Sequence, residues 1–130
     1  MSARATVRIT GHFERNLEAV ERRFLLEAEA HGAFDALLDG LADEVVPTLE
    51  RHPAIGRDFL TKSADSAEAE TRIARLTARL AATGEQASIR EYVIAHYLVL
   101  YAHVDDTVYL LAIRHHRQLS FDLGALSLAR

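Results

Sequence analysis

Between Ser88 and Asp122 the chain carries three apolar, β-branched and aromatic runs, Ile89–Ile94, Tyr97–His103 and Thr107–Arg114. Only Ala95-His96 and Asp105-Asp106 separate them. Runs of this length with turn-sized gaps predict an antiparallel meander of three strands. Aspartate accepts positive φ more readily than most residues, which makes Asp105-Asp106 the firmer of the two turns. The middle run is apolar on both parities, the mark of a strand buried on both sides.

Two-residue turns fix the register, with Arg90 opposite Tyr101 and Tyr101 opposite Leu110. Side-chain direction alternates with period two. One face then carries Arg90, Tyr92, Tyr97, Val99, Tyr101, Leu110, Ala112, Arg114 and His116. The other carries Ile89, Val93, Leu98, Leu100, Leu111 and Ile113, with Glu91 and His115 towards the ends. This second face is the more purely apolar and is expected to lie under helices. The first, with its arginines and tyrosines, is expected to be the more exposed. A one-residue slip at either turn inverts part of the assignment.

Upstream the pattern changes. Ala5–Thr10 alternates, with Val7 and Ile9 on one side, and reads as a strand broken by Gly11 and His12. Phe13, Leu17, Val20, Phe24 and Ala28 then recur at helical spacing through Ala30, and Gly32 stops that helix. A second starts near Phe34, with Phe34, Leu37, Leu38, Leu41, Val45 and Leu49 as its stripe, completing a helical hairpin. Pro47 falls inside it and should kink or loosen its last turn. Arg51–Arg57 reads as a loop from its Pro and Gly. In Lys62–Gln86, Ile73, Leu76 and Leu80 form the narrow stripe of a surface helix ended by Gly84, or of an insert that orders on a partner. Leu119–Leu123 is a candidate edge strand and Gly124–Arg130 a tail. The order β-α-α-(α)-β-β-β predicts an α+β fold, an antiparallel sheet packed on a helical hairpin.

Composition narrows the possibilities. At 130 residues, about half hydrophobic, the chain suits one domain, 1–130. No run is long enough to cross a membrane and Met1–Thr10 is no secretory signal, so a cytoplasmic protein is expected. With no cysteine, disulfides and thiolate metal sites are ruled out. The formal charge is −4 and Lys62 is the one lysine, so the broad positive field of an unspecific nucleic-acid binder is missing. Strand parity sends His115 and His116 to opposite faces, which excludes them as a chelating pair. No metal and no cofactor are expected.

The helical hairpin, LERHPAIGR (Leu49–Arg57), IREY (Ile89–Tyr92), YLVLYA (Tyr97–Ala102), DDTVYLLAIRHHRQ (Asp105–Gln118) and the closing SFDL together resemble the RelE/ParE superfamily. Its members are the toxin halves of type II toxin–antitoxin modules. The likeness spans the chain except Lys62–Gln86, which is longer than members usually have. Each piece is weak alone; their order and spacing are more specific.

The superfamily holds two activities, so fold does not decide function. RelE-like members cleave messenger RNA on the ribosome, using a base, an acid and cations on the scissile phosphate. ParE-like members lack that set and poison DNA gyrase. Here Leu98 stands where nucleases keep an arginine on the third strand, and Ile89 and Glu91 stand near the positions of RelE's lysines. Arg114 and His116 do match the arginine and histidine of some nucleases, but Arg117 replaces the tyrosine that follows. In the expected register Arg90 and His116 lie roughly 20 Å apart, too far to share a phosphate. The resemblance therefore implies a ParE-like toxin acting on gyrase and neutralised by an antitoxin whose acidic tail folds over it. It also allows a homodimer or a toxin–antitoxin heterotetramer.

Arg57, Arg90, Tyr101, Arg114 and His116 are then the candidate contacts to target or antitoxin. The alternatives are an endoribonuclease acting on ribosome-bound mRNA through His116, Arg114 and Arg117, and an inactive relative that only binds antitoxin. Plainer roles stand beside these. Arg90 serves equally as a sheet arginine paired with a carboxylate or stacked on Tyr101, His116 as a strand-end histidine, and Arg57 as a closure of its loop.

Overall fold

A computed structural model describes residues 4–26, 31–59, 74–75, 78 and 87–116. Among them the elements run β1 (Thr6–Ile9), α1 (Gly11–Leu26), α2 (His31–Gly40), a π-helical turn (Leu41–Val45), α3 (Val46–Arg51), β2 (Arg57–Asp58), β3 (Ala87–Ile94), β4 (Tyr97–Val104) and β5 (Thr107–His115). The fold is α+β, with a five-stranded mixed sheet in the order β1-β5-β4-β3-β2. Both tight turns have the expected length, and each opens on a residue at positive φ, Ala95 at 49° and Asp105 at 51°. Ala74, Arg75 and Ala78 are helical. The rest of the helix expected over Lys62–Gln86, and the edge strand expected at Leu119–Leu123, lie outside the described residues.

The sheet departs from the expectation in three ways. It is not wholly antiparallel, because β1 runs parallel to β5, Thr6 opposite Thr107 and Ile9 opposite Leu110. Arg57, the last residue of the expected loop, pairs with Glu91 and Asp58 with Arg90, so that the two form a minimal edge strand. The third departure is a bulge. Arg90 faces Tyr101 and Tyr101 faces Leu110 as expected, but Leu100 faces Ala112, so Leu111 is an extra residue. Past a bulge the parity of a strand inverts. Ile113 accordingly joins the helix-side core, while Ala112 joins the opposite cluster.

The face that lies under the helices also differs. Tyr97, Val99, Tyr101, Val108, Leu110 and Ile113 pack with Phe13, Leu37, Leu41, Val45 and Leu49 of the helical layer. The tyrosine-bearing face is the covered one. A tyrosine buries an apolar ring and needs only a partner for its hydroxyl, so it does not mark an exposed surface. The other face is buried as well, with Ile89, Leu100, Ala102, Leu111 and Ala112 around Phe59.

Helix α1 starts two residues before its first stripe residue because Thr10 caps it. The Thr10 hydroxyl accepts from Phe13 N–H (3.2 Å) and donates to Leu110 O (2.7 Å), so one side chain satisfies a helix end and a strand edge. Farther along, Asn16 Oδ1 accepts from Ile113 N–H at 3.2 Å. Thr10 and Asn16 thus continue the pairing of β5 past the last paired residue of β1, across the bulge. Pro47 does not end its helix. The turn before it widens, Val46 N–H bonding Leu41 O, and α3 continues with the proline in its first turn, where no N–H is needed.

Candidate functional site

The sequence motif Pro53-Ala54-Ile55-Gly56-Arg57 follows α3 and enters β2, and the sheet grips it from three directions. From below, the fully buried Tyr101 sends its hydroxyl into the loop, donating to Pro53 O (2.8 Å) and accepting from Gly56 N–H (2.9 Å). From the side, Arg90 Nη1 donates to Gly56 O (2.7 Å) and Ala54 O (3.1 Å), while its Nε donates to Ser88 Oγ (3.0 Å). On the other face, Arg57 Nη2 meets Glu91 Oε1 at 2.7 Å; the Glu91 side chain is 5% exposed and that of Arg57 57%. A buried carboxylate needs such a partner, since an unpaired charge in that position is strongly destabilising.

Gly56 is required by this packing. A Cβ there would lie 2.7 Å from Glu91 O and from the Tyr101 hydroxyl. The backbone carbonyl cannot yield cheaply, so no larger residue enters without displacing the loop from the sheet.

Burial pushes the Tyr101 phenol above its ordinary value of 10.0. The bond from Gly56 and the Arg90 cation pull it part of the way back, and Tyr92 adds to the rise. Held protonated and locked to a carbonyl, this hydroxyl is no proton acceptor at neutral pH. What the arrangement offers outward is a fixed crown: Ile55, 54% exposed, beside the exposed Arg51, His52 and Arg57. That leaves one exposed apolar side chain beside two arginines and a histidine.

The expected site residues therefore divide. Arg57, Arg90 and Tyr101 come together, and Tyr101 and Arg90 support the loop from behind. Arg114 and His116 sit elsewhere, at the end of β5. Four residues of β4 separate the row of Tyr101 from that of Tyr97, which faces His115, about 13 Å at strand rise. At that second end His116 is no longer on the strand, and strand parity does not govern it. His115 and His116 do not point to opposite faces. Their rings lie 4.4 Å apart, and His96 from the β3–β4 turn joins them at 6.2 and 5.4 Å. His116 bonds back to His96 O through its backbone N–H (2.7 Å) and its Nδ1 (3.1 Å). Arg117 lies outside the described residues.

Sequence reasoning missed Asn16 and His96. Asn16 stands three residues after Phe13 and four before Val20, a polar residue on a core stripe. His96 was read only as a turn residue.

Among the described residues no group of three His, Cys, Asp or Glu side chains is arranged as a metal site, and no helix is long and apolar enough to cross a membrane. No family model, curated protein or solved structure matches the chain.

Proposed function

We propose that the protein is a growth-inhibiting toxin of the RelE/ParE type that acts by binding, with DNA gyrase as its target and a cognate antitoxin as its inhibitor. One observation carries the preference for binding over chemistry. The cationic and phenolic side chains nearest the loop are committed to holding Pro53–Gly56, and the histidines stand about 13 Å away along the sheet. Among the described residues, no base, acid and phosphate-holding cation converge on the Pro53–Arg57 loop. A rigid loop crowned by Ile55 and Arg57 suits recognition of a protein surface, since a preordered segment loses less entropy on association.

Expression from a tight promoter without antitoxin, with growth and plasmid supercoiling followed together, tests this reading. Arrest with loss of supercoiling is expected, relieved by Arg57→Glu if the loop is the contact. Arrest with normal supercoiling and cleaved transcripts, abolished by His116→Ala, overturns it in favour of ribosome-dependent cleavage. Absence of arrest removes toxicity altogether.

A further inference from the structure

The sheet ends at β1, and the backbone bonds of that strand show which way each residue turns. Thr6 N–H donates to Asp106 O (2.8 Å) and Thr10 N–H to Leu110 O (3.2 Å), so Thr6, Arg8 and Thr10 turn their backbone groups inward to β5. Backbone direction alternates along a strand, which turns the N–H and C=O of Ala5, Val7 and Ile9 outward. Ala5 N–H is taken by Glu50 O at the end of α3 (2.8 Å). Among the described residues nothing bonds to the outward groups of Val7 and Ile9. Ala5 and Thr10 are buried, while Thr6, Arg8 and Ile9 between them are exposed, Ile9 by 43%. The open flank is therefore a slot three residues long, Val7 to Ile9, about 10 Å at strand rise.

We propose that this slot takes a short extended segment of a partner protein, antiparallel to β1, with an acidic residue between two apolar ones. In that pairing Val7 and Ile9 each exchange two hydrogen bonds with the residue opposite. Arg8 then holds the position between them, where facing side chains come closest. Val7 packs on the helix-side core, and Ile9 stands opposite Leu110 of that core, so the residues facing them are apolar. Arg8 lies on the other face, opposite Tyr109, and a carboxylate is the favourable residue to set against it. A second copy of the chain does not fit. The one self-pairing that uses both Val7 and Ile9 sets one Arg8 against the other, and like charges directly opposite are destabilising. Sliding the two copies either way brings one into the end of α3 at Ala5 or the start of α1 at Gly11. A short, charged edge is protected against its own kind; the same arginine selects for an acidic partner.

The test is titration of the isotope-labelled, full-length chain with the capped peptide Thr-Val-Glu-Val-Thr, read by amide shifts and hydrogen exchange. Saturable shifts centred on Val7, Arg8 and Ile9 are expected, with exchange of the Val7 and Ile9 amides slowed at least tenfold. Val93, 56% exposed towards the opposite edge, is expected not to move. A peptide with lysine in place of glutamate should bind about fivefold more weakly, and Arg8→Glu should reverse that preference. Methylation of the two valine nitrogens of the peptide should abolish binding. Absence of saturable shifts up to millimolar peptide, shifts that avoid Val7 and Ile9, or equal affinity for the two peptides overturns the proposal. So do shifts at Val7 and Ile9 that grow with protein concentration alone, which would make the occupant a second copy. Circular dichroism checks that Arg8→Glu is folded, and exchanging the peptide on the unmutated chain tests the charge pairing without it. None of these outcomes depends on whether the chain arrests growth.

Discussion

The two ends of the β3–β4–β5 meander are built from similar residue types, arginine, tyrosine and histidine, yet they are opposite in character. At one end Tyr101 is fully buried and Arg90 donates three hydrogen bonds, so that loop, edge strand and sheet form one cross-linked unit. At the other, His96 and His116 stand in water, joined to each other by a backbone bond and ring contacts. Val93, 56% exposed, lies near this second end. The difference is set by what the chain lays across each end. A backbone loop has carbonyls and amides that must be satisfied, and it draws polar side chains into structural service. Where no such loop is laid, the β3–β4 turn itself takes the bonds, through His96 O and His116.

The comparison breaks first at glycine. Gly56→Ala is expected to lower the unfolding free energy by about 2–3 kcal/mol in urea titration, because the added methyl meets a backbone carbonyl. Gly40→Ala places its Cβ equally close, 2.8 Å, but to the end of the Ile94 side chain. Rotation of Ile94, offset by a helix-propensity gain of up to about 1 kcal/mol, leaves a much smaller change. Equal losses in the two variants would mean that the loop is not seated as described.

Tyr101→Phe comes next, at about 2 kcal/mol, since Gly56 N–H and Pro53 C=O lose a shared partner. It also carries a pH signature. The folded-state phenol titrates above its unfolded value of 10.0, so its neutral form is favoured by folding. That contribution is complete below pH 10.0 and is lost as pH rises through the higher folded value. Wild-type stability should therefore fall above pH 10 more steeply than that of Tyr101→Phe, as read by denaturation at stepped pH.

The smallest effects compare the two turns. Ala95 and Asp105 share a positive φ near 50°, which alanine tolerates poorly and aspartate better. Ala95→Gly should raise stability by about 1 kcal/mol, and Asp105→Gly by less. An equal response in thermal denaturation would remove strain as the distinction between the turns.

How much of this was legible depends on how local the cause was. Turn lengths and the Arg90–Tyr101–Leu110 row follow from short-range patterning and are as read, and the three strands run only one or two residues beyond the expected limits. The bulge at Leu111 is not local: it is matched by Asn16 on α1, almost a hundred residues earlier in the chain, and nothing near Leu111 announces it. The error about the exposed face came from counting tyrosines as polar. For the site, proximity of Arg57, Arg90 and Tyr101 was implicit in the Pro53-x-x-Gly56-Arg57 motif and the strand register. Their supporting role was not, because hydrogen bonds to loop carbonyls leave no trace in residue type. The histidine cluster was hidden by a parity rule applied one residue beyond the strand that obeys it.

The placement of β1 has a consequence for the order of assembly. Thr10 and Leu110 are joined across 100 residues of sequence, whereas β3, β4 and β5 are joined through turns of two. Long closures are entropically late and short ones early. During synthesis β1 must therefore wait for β5, and until it docks, the flank of β5 that β1 covers is an open edge. An unpaired strand edge is a template for other chains. Thr6–Thr10 thus act as a closing seam, and the interval before it closes is when this protein is most exposed to joining the wrong neighbour.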